Sequence, residues 1–203
     1  MQGLYAIIDP ATSREPLALA ERVLRGGCGA LQLRDKSNDD ASFVALGAAL
    51  RRICRAHGVP FIVNDRVWLA ASLEADGVHI GQGDAPLEEV RRTLGPSCSI
   101  GVSTRSLDQA LEAERRGADV IGFGPVFATT TRIPAEPAVG LAALTEVCTR
   151  IRIPVIAIGG LNADNVAEVA RAGAAMGAVI TALSYADDPE NAARRMHAVL
   201  SRS

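Results

Sequence analysis

Aromatic side chains are nearly missing from this sequence. One tryptophan, two tyrosines and four phenylalanines serve 203 residues. A core must then be filled by Ala, Val, Leu and Ile, which suit parallel strands covered by helices on both faces. Charge of one sign is lacking too. Lys and Arg number 21 against 23 Asp and Glu, a net charge of −2, so there is no basic field to hold a nucleic acid backbone. No apolar run approaches the roughly 20 residues of a membrane-spanning helix, so no membrane partner is expected. The opening "MQGLYAIIDP" has no basic segment and enters a strand at once, unlike a signal peptide. The four cysteines, Cys28, Cys54, Cys98 and Cys148, never form CxxC. Their scatter argues against structural zinc and for free thiols in a reducing cytoplasm, the expected location.

What the sequence does contain is repetition. Short apolar runs recur at 4–8, 30–34, 60–64, 77–81, 99–103, 120–125, 154–159 and 177–182. Each has strand length, and each is followed by a stretch with helical spacing. Leu17, Ala20 and Leu24 share a face before a glycine stop, as do Phe43, Leu46, Leu50 and Ile53 before Gly58. Ser106 and Asn162 stand as N-caps, and Pro189 early in a last helix. Eight strand–helix units in one uninterrupted chain predict an α/β fold, a single (β/α)₈ barrel over residues 1–203. A doubly wound sheet ranks below it, because no GxGxxG follows the first strand. The longest strand-to-helix connection, "TTTRIPAEPAVG" at 129–140, falls on the sixth unit.

In such a barrel the active site lies at the C-terminal strand ends. Strand two ends in Gln32, Leu33, Arg34, Asp35 and Lys36; strand three in Asn64 and Asp65. Strand four leads to Asp84, strand five to Ser103 and Thr104, and strand six to Thr129, Thr130, Thr131 and Arg132. Strand seven ends in Gly159 and Gly160, strand eight in Ile180 and Thr181. Asp65 and Asp84, without His or Cys at metal spacing, suit a hard ion such as Mg²⁺. Arg34, Lys36 and Arg132 around them suggest a diphosphate. The glycine pair before a helix reads as a separate phosphate site. Against these stand plainer readings: Arg34 and Asp35 as a surface pair, His79 as a satisfied core histidine, His57 and His197 as solvated, and Trp68 as packing.

Taken together, "QLRDK" (32–36), "VNDR" (63–66), "GVHIGQGD" (77–84), "IGVST" (100–104), "GFGPVFATTTR" (122–132), "VGL" (139–141) and "IPVIAIGG" (153–160) resemble the thiamine phosphate synthase family over nearly the whole chain. The resemblance implies a (β/α)₈ transferase of thiamine biosynthesis. Such an enzyme joins hydroxymethylpyrimidine diphosphate to a thiazole phosphate with Mg²⁺, releasing diphosphate. It implies that Gln32 to Lys36 and Asn64 hold the pyrimidine diphosphate and that Asp65 and Asp84 bind Mg²⁺. It further implies that Ser103 meets the diphosphate, while Thr129 to Thr131, Gly160, Ile180 and Thr181 line the thiazole phosphate site. Arg34, Lys36, Ser103 and Arg132 would carry the catalytic charge stabilisation. Arg132 falls where the family usually has lysine, Arg105 where it often has histidine, and Trp68 replaces a polar residue. Two rival readings are a thiazole tautomerase-like paralogue and a non-catalytic regulatory protein that binds thiamine phosphates. Pro125, where the tautomerase has histidine, and the presence of Asp65 favour the synthase. The sequence leaves a homo-oligomer open.

Overall fold

Eight parallel strands follow one another around a closed barrel in chain order, in a computed structural model that describes residues 2–129 and 137–202. The strands are β1 (Gly3–Ile8), β2 (Ala30–Leu33), β3 (Phe61–Asn64), β4 (Gly77–Ile80), β5 (Ser99–Thr104), β6 (Val120–Phe123), β7 (Val155–Ile158) and β8 (Met176–Val179). The helices between and after them are α1 (Pro16–Gly26), α2 (Asp40–Ala56), α3 (Val67–Ser72), α4 (Leu87–Leu94), α5 (Leu107–Arg115), α6 (Gly140–Arg150), α7 (Val166–Arg171), α8 (Thr181–Ser184) and α9 (Pro189–Leu200). Among them, no helix is long and apolar enough to cross a membrane. Thr130, Thr131 and Arg132 lie outside the described residues.

Strand alternation divides the apolar residues into two layers. Leu4, Ala6 and Ile8 of β1, with Leu31 and Leu33 of β2, face outward and pack with helix residues such as Leu19, Val23 and Phe43. Fully burying each of the larger ones is worth about 1.5–3 kcal/mol. Tyr5, Ile7, Ala30, Ile62, Val120, Ile156, Met176 and Ala178 form a second cluster from strands alone, which fills the barrel interior. Two residues further along β2 and β3, the inner face turns polar at Gln32 and Asn64. The interior is therefore an apolar plug beneath a polar mouth.

Helix starts follow side-chain chemistry. Asp39 accepts from the Ser42 amide at 2.9 Å, Ser106 from Gln109 at 3.3 Å and Asp188 from Asn191 at 3.2 Å. Four local expectations need correction. Asn162 is not the N-cap of α7: its side-chain Oδ1 accepts from the Asp164 and Asn165 amides in a turn, and α7 begins only at Val166. The last strand stops at Val179, so Ile180 and Thr181 belong to the start of α8. Trp68 does not pack; it is 73% exposed. His197 is half-buried, and its Nδ1 accepts the Leu4 amide at 3.2 Å.

Candidate active site

Because all eight strands run parallel, their C-terminal ends form one rim. Side chains stitch that rim from strand to strand. Arg34, just past β2, ion-pairs with Asp9, just past β1. Asp9 is 3% exposed and also accepts from the Ala11 amide at 2.9 Å. Lys36 pairs with Asp65, from β2 to β3. The plainer reading of Arg34 and Asp35 as a surface pair does not hold, since Arg34 pairs with Asp9. Asp35 is buried and binds its own loop, accepting from Ser37 and Asn38 amides at 3.0 Å and from Asn38 Nδ2 at 2.6 Å. Burial pushes its carboxyl up, but these donors outweigh burial and hold it below the usual range. Asp35 thus shapes the loop that carries Arg34 and Lys36. Leu33 points its side chain into the outer core, so only its backbone faces the mouth.

Asp65 has φ = 60°, a left-handed conformation uncommon for a residue other than glycine. Its amide donates to His79 O at 2.9 Å, which ties the turn to β4. Backbone held in such regions is concentrated at functional sites. Burial raises the Asp65 carboxyl; Lys36 draws it down, and the nearby Asp84 carboxyl raises it again. Asp84 is itself anchored, accepting from the Gly81 amide at 2.7 Å. Two facing carboxylates, one of them partly desolvated, form an all-oxygen donor set that fits a hard divalent cation. Among the described residues, no group of three or more His, Cys, Asp or Glu assembles for a metal. Water and substrate oxygens would have to complete such a coordination shell. Arg66, which ends the same polar run, turns away. It bonds Asp40 at 2.8 Å and Asn38 O at 2.7 Å and lies 4.7 Å from the Phe43 ring centroid.

The inner face of the mouth carries Gln32, Asn64, His79 and Ser103. Gln32 Nε2 donates to Tyr5 Oη at 2.9 Å. His79 Nε2 lies 3.0 Å from Ser103 Oγ, and Gln82 Nε2 donates to Ser103 O at 2.6 Å. Burial pushes His79 down to about 4, so its ring is neutral near pH 7. Thr104, the neighbour of Ser103, is buried and donates to Gly122 O at 3.2 Å.

Across the rim, the base of the long loop after β6 packs on the end of β7. Val126 N donates to Ile158 O at 2.8 Å and Phe127 N to Gly159 O at 3.1 Å. Gly159 and Gly160 have φ of 99° and 69°, and a Cβ on Gly160 would fall 2.5 Å from Ala128 O. The glycine pair therefore serves loop packing. It does not open a helix, since α7 starts six residues later. Thr129 sits on this loop; Gly160, Ile180 and Thr181 are all half-buried along the adjoining rim. Asp9 is the polar strand end that sequence reasoning missed. Its only signal was its place after the apolar run of β1, and Pro10 beside it reads as a turn.

Residues 4–183 match the sequence family described as thiamine monophosphate synthase. A thiamine-phosphate synthase of Roseiflexus castenholzii is 45% identical over 195 residues, covering 95% of this chain and 86% of that protein. One of Methanocella arvoryzae is 46% identical over 202 residues, covering 98% and 95%. The thiamine phosphate pyrophosphorylase of Pyrococcus furiosus aligns at a TM-score of 0.90 and 36% identity, covering 98% and 95%. On the match of 180 residues and on these identities, the chain belongs to the thiamine monophosphate synthase family.

Proposed function

We propose that this protein is a thiamine phosphate synthase, and that its reaction runs by diphosphate departure followed by thiazole nitrogen attack. The observation that carries the reading is the Asp65–Asp84 carboxylate pair flanked by Lys36 and the Asp9-held Arg34. Acidic and basic groups alternate there as a metal-bound polyanion requires. The methylene C–O bond of the pyrimidine diphosphate breaks, and its electron pair leaves with the diphosphate. The aminopyrimidine ring delocalises the positive charge left on the methylene carbon. A C–N bond then forms to the thiazole nitrogen, giving the thiazolium of thiamine phosphate.

Little proton transfer is needed, so the protein's task is to stabilise charge on the leaving group. Arg34 and Lys36 would meet the diphosphate oxygens, and Ser103 would donate to them. Arg132, expected at the same place from the resemblance, would add a second guanidinium. Gln32 and Asn64 would fix the pyrimidine at the inner face. Thr129 to Thr131, with the Gly160 and Ile180–Thr181 backbone, would hold the thiazole phosphate. Asp65 and Asp84 would hold Mg²⁺, which when bound neutralises diphosphate charge. The test is an omission assay. Thiamine phosphate should form when both phosphorylated substrates and Mg²⁺ are present and should be absent when any one is left out. Binding of thiamine phosphate with no turnover in the complete mixture would instead favour the regulatory reading.

A further inference from the structure

His79 lies on the inner face of β4, beneath the mouth. Gly101 and Gly122 make room for its ring. A Cβ on Gly101 would fall 2.4 Å from His79 Nδ1, and one on Gly122 would fall 2.8 Å from Cε1 and Nε2. Neither glycine has a positive φ. Their backbones therefore make no demand for glycine, and each sits within a strand, where glycine weakens the sheet. Space for the imidazole is the physical reason left for both. The ring so seated places Nε2 3.0 Å from Ser103 Oγ. The Ser103 backbone is fixed separately by Gln82.

We propose that His79 is a positioning residue that holds the Ser103 hydroxyl as a hydrogen-bond donor toward the leaving diphosphate. This rests on the proposed reading of Ser103 as a diphosphate contact. A neutral imidazole carries one N–H, and the two tautomers have opposite consequences. With the proton on Nε2, the ring donates to a lone pair of Ser103 Oγ, and the serine proton is left to point at an anion. With the proton on Nδ1, the ring takes the serine proton for itself, and Ser103 presents only lone pairs to the anion. An arriving diphosphate selects the first arrangement. The ring supplies this orientation from its buried seat against Gly101 and Gly122.

The experiment is a double-mutant cycle read by calorimetry with inorganic diphosphate in the presence of Mg²⁺, alongside kcat for thiamine phosphate formation. His79→Leu and Ser103→Ala should each weaken diphosphate about tenfold, the scale of one hydrogen bond to a charged group. The double variant should be no weaker than Ser103→Ala alone. His79→Gln, which keeps an N–H near the same place, should stay within about threefold of wild type. This variant also covers the case in which His79→Leu fails to fold. The inference is overturned if His79→Leu binds diphosphate as wild type does. It is overturned too if the His79→Leu loss persists undiminished in the Ser103→Ala background, if His79→Gln is as weak as Ser103→Ala, or if wild type binds no diphosphate. A cycle that closes as expected in a protein that forms no thiamine phosphate would sink the proposed reaction while leaving the His79–Ser103 relation standing.

Discussion

At the scale of single residues, charge at the mouth is arranged in linked pairs. Asp9 is buried and sets the position of the Arg34 guanidinium. Arg34→Ala should lower kcat by about 10²–10³, or roughly 2.7–4 kcal/mol, as for loss of one preorganised donor. A change confined to KM would show that Arg34 binds ground and transition states alike. Asp65 is a different case. Burial raises its carboxyl, with Asp84 adding to the effect, so in the absence of a bound cation its charge is held at a cost. Asparagine tolerates the same left-handed backbone. Asp65→Asn should therefore abolish most synthase activity while leaving the thermal midpoint at pH 7 equal to wild type or higher. A fall of several degrees would mean that the Lys36–Asp65 pair supports the fold and would count against a site role.

At the scale of elements, β1 and α9 are joined by a contact that titrates. His197 Nδ1 accepts the Leu4 amide, and burial lowers its pKa. Its folded state favours the neutral ring. The stability it contributes is complete above the unfolded pKa of about 6.5 and declines as pH falls from there toward the lowered folded value. His197→Gln can accept the same amide and does not titrate. Between pH 7.5 and 5.5 the thermal midpoint of wild type should drop further than that of the variant. Equal drops would remove His197 from the account. The contact spans 193 residues, which is why it escaped a sequence reading that placed His197 in solvent: only barrel closure brings the last helix beneath the first strand. Strand ends were more legible. Gln32, Asn64, Asp65 and Ser103 each terminate or follow an apolar run, and such a break in pattern has few structural uses. The start of α8 was not legible, since four residues carry no helical period. Asp9 as the partner of Arg34 was not legible, because Asp9 lies 25 residues away and is adjacent only across the sheet.

At the scale of the whole molecule, the closed parallel barrel turns eight separate strand ends into one ring of contacts. Its inner face changes from an apolar plug at Tyr5, Ile62 and Ile156 to a polar mouth at Gln32, Asn64, His79 and Ser103. Among the described residues, the charged groups Asp9, Arg34, Lys36, Asp65 and Asp84 gather past the ends of β1 to β4. The tight glycine packing of β7 against the loop after β6 occupies another part of the rim. That division suits two phosphorylated substrates meeting over one mouth. Excess chelator should accordingly abolish turnover while leaving the fold intact by circular dichroism, and full activity in chelator would remove the two-carboxylate site from the mechanism.

The central claim is tested most directly by mixing the protein with hydroxymethylpyrimidine diphosphate, thiazole phosphate and Mg²⁺ and measuring both products over time. Diphosphate and thiamine phosphate should appear together in equal amounts, and Asp65→Asn should suppress both to the same extent. Wild-type protein that is folded and forms neither product would contradict the account.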